Sequence, residues 1–550
     1  MSSYIITSGP HSPDADADAH LGQLLPRLGA DVLGRHLRKR GHRVRHIEYC
    51  GTHPCPSPDH AAAECTTVLL GDRPEETLSL GGTRHDRCVP ALTAEAHTER
   101  VQRSFLRMWE AGVWEERELP GLRCGPCGRN LHETEVRGRC RFCAALCDGM
   151  YCQACERPQD VARLAALRCA LCGAVPTRCT MRRIVLPLEH WREQLAAYHA
   201  MEHRHAQDQV QDEGRAEWQR PALHEYLSEL FSRELPVIPV SREAGQGIPV
   251  PLAGWAEHDL DGWFSEAMGY AEAVTTLLDR VDGGEETSEL RSCDRTTWII
   301  DFAAVGQAFS HAALRPVVLL AQGICGLPHL VVGNEAARSA PGTPPTVRSG
   351  GPMAPPNADA LRFHLGLTGS RPERHAAWAQ EYADTIATVL AGGLEAWTDT
   401  ILDLLAEGFG SVVPATSPAG PPVADRRELM RCTERALAAE TFSLQRAAEA
   451  LATAVDRAVA DLRQLRPLRA ERRYDAYAAR LVAHTELLAS CVVAAAPLMP
   501  GWSAFLAGHL GIDLDERSSS TLSFGVEADR LMPAGVKLPE SVPVYFHEQI

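Results

Sequence analysis

The sequence predicts an α/β protein: a nucleotide-binding βαβ fold, interrupted by a cysteine-rich insertion and followed by a helical bundle. Three observations carry this expectation. A short apolar run, a glycine-bearing stretch, an amphipathic helix and a second strand follow one another near the start of the chain. Four C-x-x-C pairs fall between residues 124 and 172. Beyond residue 357, long Ala/Leu/Arg segments with helical spacing dominate.

Each element has its own justification. Residues 3–7, "SYIIT", read as a buried strand leading into a loop. Leu21, Leu24, Leu25, Leu28, Val32, Leu33 and Leu37 recur at spacings of three to four on average, an amphipathic helix that should end near Gly41. "HRVRHIEYCGT" follows as a second strand and turn. Strand, glycine-bearing turn, helix and strand open a nucleotide-binding βαβ unit.

The cysteine pairs are "CGPC" (Cys124, Cys127), "CRFC" (Cys140, Cys143), "CQAC" (Cys152, Cys155) and "CALC" (Cys169, Cys172). Two thiolates three residues apart on a tight knuckle take one side of a tetrahedral zinc ion, and a second pair completes it. Four pairs therefore predict two closed, structural zinc sites rather than a catalytic one with an open position. The competing explanation is redox or coincidental pairing, and spacing alone leaves open which pair meets which. Cys147 and Cys179 stand outside these sites.

Residues 185–235 are polar and helical in pattern, and a second α/β stretch covers about 236–345, including "PVVLLAQGI" and "LPHLVVG". The Pro/Gly/Ser-rich segment 338–357 reads as loop. The expected organisation is a first catalytic half (1–115), a connective insertion (116–235) and a second catalytic half (236–356). A helical domain (357–515) and a tail packing back on the core (516–550) complete it.

At 550 residues the chain has room for two to four domains. Its apolar content of 45% and charged content of 23% are those of a globular protein. A net charge of −16 argues against a mainly electrostatic grip on nucleic acid. No uncharged apolar stretch reaches about 18 residues, and "MSSYIITSGPHS" lacks the features of a secretion signal. A cytoplasmic protein without a membrane partner is expected. Arginine supplies nearly all the positive charge, with Lys39 and Lys537 the two lysines.

Nine stretches together resemble a bacterial class I methionyl-tRNA synthetase along essentially the whole chain. In the family's order they are "HLGQ" (20–23) for the HIGH element, "CGT" (50–52), the knuckles, "PVSREAGQGIPVP" (239–251) and "GWFSEAMGY" (262–270). "DFAAVGQAFSHAALRPVVL" (301–319) matches the Phe-His…Trp-Pro helix, and "NADALRFHL" (357–365), "APLMP" (496–500) and "LMPAGVKLPESVPVYF" (531–546) close the series. The resemblance implies a Rossmann-like catalytic domain with a zinc-knuckle connective insertion and an anticodon-binding-like helical bundle. It also implies nested zinc pairing, with Cys140, Cys143, Cys152 and Cys155 inside and Cys124, Cys127, Cys169 and Cys172 outside.

The resemblance further implies ATP as the nucleotide, held by His20, Gly22 and Gln23 and by the KMSKS position, "EAARS" (335–339). Such enzymes stabilise charge as the amino-acid carboxylate attacks the α-phosphate. Here Gln23 replaces a histidine, and both KMSKS lysines are absent, leaving Arg338 and Ser339. Arginine holds phosphate well, yet one cation in place of two is a thinned clamp. In the amino-acid pocket, Trp263 and Tyr270 match the aromatic wall and His311 the pocket histidine, with plain core packing as the competing explanation. His53 replaces the acidic residue after "CGT", Ser265 replaces another Asp, and Glu266 and Gln307 bring polarity where the family is small or apolar. Such a pocket predicts a substrate other than methionine.

The anticodon-reading helix has also lost its Asn and Arg: "YADTIATVLAGGLEAWTDTI" (382–401) keeps Trp397 as a possible base-stacking residue. The pattern is similar to the hydrazine synthetases of natural-product pathways. These use ATP to join an amino acid to the oxygen of an N-hydroxylated amine such as N6-hydroxylysine, independently of tRNA. A cupin then rearranges the ester to the N–N bond; this sequence begins at the first strand, so the cupin is expected as a separate partner. The alternatives are a non-catalytic synthetase-like binding protein and a divergent methionine-tRNA ligase.

Overall fold

A computed structural model describes residues 3–11, 19–50, 87–89, 94–149, 151–152, 155, 157–208, 221–243, 247–281, 297–304, 309–323, 329–334, 346–347, 355–369, 378–416, 426–514 and 531–546. Its centre is a five-stranded parallel sheet of β1 (Ser3–His11), β2 (Arg43–Cys50), β3 (Arg87–Val89), β4 (Thr297–Ala304) and β5 (His329–Asn334). The strand order is β5-β4-β1-β2-β3. The order reverses between β1 and β4. In an open parallel sheet, the crevice beyond the carboxyl ends at that reversal is where ligands bind.

Alternation along the strands sorts residues between the two faces. Tyr4 and Ile6 of β1, with Ile300 and Phe302 of β4, share one apolar cluster with Leu25, Leu28, Val32 and Leu33. These leucines and Val32 lie on α1 (Leu21–Lys39), whose chain reverses at Gly41 in a left-handed conformation, φ 78°. Ile5 and Ile299 point to the opposite face, where they join Phe264, Tyr270, Phe309 and Leu314. That face is covered by α2 (Gly262–Val281) and by a π turn, Ser310–Leu314, running into α3 (Arg315–Ala321).

The connective segment is mostly β rather than helical at its borders. Glu115–Cys124 pairs antiparallel with Thr177–Pro187, so the polar pattern from 185 begins on a strand before the helices Arg192–Asp208 and Pro221–Phe231. Knuckle residues form a third, small cluster of their own.

From Pro355 to Leu510 the described chain is largely helical. Helix Tyr474–Ala495 is long and apolar enough to cross a membrane, yet 89% of its most apolar window is buried within the protein, so it serves as the core helix of this domain. Residues 531–546 lie against these helices. The Leu531 and Met532 amides donate to Glu486, those of Tyr545 and Phe546 donate to Glu395, and the Tyr545 hydroxyl donates to Asp359 at 2.7 Å.

Candidate active site

Thr7 and Asp301 are register partners on β1 and β4, side by side at the reversal of strand order. The Thr7 hydroxyl donates to Asp301 Oδ1 at 2.8 Å and lies 3.3 Å from the Tyr270 hydroxyl. Tyr270 and Trp263 are seven residues apart on α2, two turns along one face. His311 Nδ1 is 2.6 Å from Asp301 Oδ2, and Arg315 Nη1 is 3.1 and 2.9 Å from the two carboxylate oxygens. The Arg315 guanidinium also lies 4.4 Å from the centre of the Tyr270 ring. Asp301, His311 and Arg315 are all sealed from solvent.

This cluster is electrostatically self-contained. A buried carboxylate is costly without a counter-charge, and Arg315 supplies one. Burial, then the Asp301 charge, push the Tyr270 hydroxyl well above the usual tyrosine range, outweighing Arg315 and Thr7, so Tyr270 stays protonated. The π turn presents His311 and Arg315 together toward β4, and such turns recur at functional sites.

Of the residues picked from sequence, Tyr270 and His311 meet in this cluster, and Trp263 packs beside it, its ring 6.0 Å from Phe309. The α2 start is fixed by Asp261, which accepts from the Trp263 amide at 3.0 Å and faces His132 Nε2 of the insertion at 3.1 Å. Ser265 is buried and donates its hydroxyl to the Asp261 carbonyl. His20 lies on a two-residue strand paired with Thr346–Val347, which brings the segment following Arg338 and Ser339 back to the start of α1. Gly22 and Gln23 occupy the first turn of α1, and Glu266 lies in α2, with the side chains of His20, Gln23 and Glu266 outside the description. His53, Gln307, Arg338 and Ser339 lie outside the described residues.

Sequence reading missed Asp301, Arg315 and Thr7. The signal was present: "WIIDFAA" carries one acid in an apolar strand, and Arg315 stands where the resembled helix has tryptophan. Each charge alone would be prohibitive in a core, so each called for the other.

Trp397 needs a correction. It is fully buried, and its indole N–H donates to His484 Nδ1 at 3.1 Å, while His484 Nε2 faces Asp461 at 3.1 Å. A base cannot stack on it. The preceding stretch, Thr385–Glu395, is a π-helix.

The cysteines assemble into two sets, Cys124, Cys127, Cys169 and Cys172, and Cys140, Cys143, Cys152 and Cys155, with all sulfurs of a set within 4.8 Å of one another. These are the sets implied by the resemblance. The closest approaches are 3.4 Å for Cys124–Cys172 and 3.6 Å for both Cys140–Cys155 and Cys143–Cys152. Four converging soft donors fit zinc with no open position, so the ion would supply cross-linking rather than chemistry. Backbone N–H of Ala174, then the Cys124 and Cys127 thiols, lower Cys172 to about 7. Burial opposes ionisation of Cys140, but the Phe142 and Cys143 amides prevail and bring it to about 7.

A cavity of about 450 Å³ lies apart from the Asp301 cluster, between the knuckles and helix Pro221–Phe231. Arg141, Arg157 and Arg233 surround the Phe142 ring there. A zinc ion with four thiolates would carry a net negative charge, which these guanidinium groups beside the inner knuckle would offset.

The model of the family described as tRNA synthetases class I (M) matches residues 4–337. A methionine–tRNA ligase of Bacillus mycoides (strain KBAB4) is 25% identical over 420 residues, spanning 74% of this chain and 73% of its own. One from Bacillus cereus (strain AH187) gives the same figures. Mycobacterium tuberculosis methionyl-tRNA synthetase in complex with methionyl-adenylate superposes with a TM-score of 0.65 at 18% identity, covering 98% of both chains. Its apo form gives 0.66 at 18% identity, over 99% of this chain and 98% of that one. With more than half its length matched by the family model, and with the fold and cysteine clusters in place, this chain belongs to the methionyl group of class I tRNA synthetases, a family of amino-acid-adenylating ligases.

Proposed function

We propose that this protein adenylates an amino acid with ATP independently of tRNA, then passes the acyl group to an N-hydroxylated amine on a route to an N–N bond. The observation that carries this reading is the buried Asp301–Arg315 pair beside Tyr270 and His311 at the reversal of strand order. An ion pair at that place is a poor wall for a thioether side chain and argues for another amino acid.

In the first step the carboxylate oxygen attacks the α-phosphorus and pyrophosphate leaves. His20, Gly22 and Gln23 would cradle the nucleotide at the start of α1, with Arg338 and Ser339 closing on its phosphates. In the second step the N-hydroxyl oxygen attacks the acyl carbon, losing its proton, and AMP leaves with the bonding pair. The ester then passes to a cupin partner. Burial of Trp397 supports independence from tRNA.

The test is to incubate the zinc-loaded protein with ATP, an amino-acid panel and N6-hydroxylysine, and to seek the O-acyl ester by mass spectrometry. An ester formed without tRNA supports the reading. A second reading, methionine–tRNA ligation, is favoured by the names of the curated relatives. Methionylated tRNA as the sole product would establish it instead.

A further inference from the structure

Among the buried polar atoms of the Asp301 cluster that lack a hydrogen-bond partner is one on His311. His311 is fully buried, its Nδ1 faces Asp301 and Arg315, and its Nε2 has no hydrogen-bond partner. Asp301 Oδ2 at 2.6 Å can only accept, and Arg315 Nη1 at 2.9 Å can only donate. The shorter contact, to the charged acceptor that Arg315 also serves through its own bonds to both oxygens, sets Nδ1 as a donor to Asp301. Asp301 already has its counter-charge in Arg315, so the ring has only to supply a hydrogen bond. A neutral imidazole protonated on Nδ1 presents a lone pair at Nε2. The acceptor is thus fixed by the ion pair behind it.

We infer that the amino acid selected here carries a neutral hydrogen-bond donor, a hydroxyl or carboxamide, on its side chain, and that Asp301 and Arg315 are the positioning residues that make His311 its acceptor. This rests on the adenylation reading above. Methionine's thioether has no donor and leaves Nε2 unsatisfied. A cationic side chain would meet Arg315 lying on Tyr270, and an anionic carboxylate has no proton to donate to Nε2. Sites built to bond a substrate O–H or N–H reject the analogue lacking it far more strongly than apolar pockets reject a missing methylene.

The test measures equilibrium binding of inert aminoacyl-sulfamoyl-adenosines to the full-length, zinc-loaded protein by calorimetry, which requires no catalysis. Serine is compared with 2-aminobutyrate, homoserine with norvaline, and glutamine with methionine, with bare sulfamoyl-adenosine as reference. The inference expects at least about 100-fold tighter binding of the donor-bearing member in one pair. It expects that gap to close to about threefold or less in His311→Phe, with reference binding unchanged. A preference for methionine, no preference in any pair, or a gap that survives His311→Phe would overturn it. Binding of the reference alone overturns the side-chain inference while leaving the nucleotide site standing; no binding at all removes the adenylation reading with it. If His311→Phe does not fold, the wild-type ranking within the pairs decides.

Discussion

Arg362 donates to Asp31 at 2.7 Å across 331 residues of sequence, and both side chains are almost completely buried. Arg362 lies on the first helix of the helical domain, and Asp31 is in the middle of α1, the helix that begins just after His20. Arg362 also donates to the Leu498 and Pro497 carbonyls, and Asp31 holds Arg35 at 2.8 Å. Lys39 near the end of α1 donates to the Val493 carbonyl. The helical domain therefore braces α1 from behind. Replacing Arg362 with Met should lower the unfolding free energy by about 3 kcal/mol, since it removes the buried counter-charge of a buried carboxylate. Denaturant unfolding checks this; a loss below about 1 kcal/mol would mean that the pair does not hold the domains together.

Asp301 and Arg315 should behave as a unit. Asp301→Leu or Arg315→Met alone leaves an uncompensated buried charge and should cost about 3–5 kcal/mol. The double variant should cost less than either single one, because both desolvation penalties disappear together. A double-mutant cycle in urea reads this directly, and simple additivity of the two losses would contradict the coupling.

The cysteine sets predict two zinc ions per chain. Metal analysis of Cys152→Ser should find one, and of Cys124→Ser also one, because each set closes on its own four sulfurs. Removal of both ions should unfold the insertion before the sheet, since the knuckles have a separate small core. Retention of two ions in Cys152→Ser would show that the sets are not independent sites.

Acid should destabilise the fold through two buried histidines. Burial, then Arg40 and Lys39, lower His36 to about 3, and burial lowers His364 to about 4. Both rings are neutral when folded, whereas in the unfolded chain they take up protons below about 6.5. Their contribution is thus whole above about pH 6.5 and is lost as pH falls toward 4 for His364 and 3 for His36. Between pH 7 and 5 each should remove up to about 2 kcal/mol. Stability measured at both pH values for wild type and His364→Gln checks the sign: the variant should show the smaller drop.

Much of this architecture was legible because it rests on local periodicities. Leu25, Leu28, Leu33 and Leu37 of α1 fall at helical spacing, and they share the apolar cluster of β1 and β4. The C-x-x-C pairs fixed the kind of site, while their nesting depended on how Glu115–Cys124 and Thr177–Pro187 pair, which spacing does not encode. The Asp301–Arg315 pair was harder to foresee, since its two residues come from a strand and a helix brought together by a π turn. Trp397 misled for a related reason. An aromatic residue in a helix reads the same whether it faces solvent or a buried histidine, and here His484, 87 residues on, decides.

The central claim is amino-acid activation without tRNA, and pyrophosphate exchange into ATP tests it most directly. Zinc-loaded protein, free of tRNA, is given labelled pyrophosphate, ATP and single amino acids. The account predicts exchange dependent on one amino acid other than methionine, abolished by Arg338→Ala and reduced by His20→Ala. Exchange with methionine alone, or none with any amino acid in a folded protein, would contradict it.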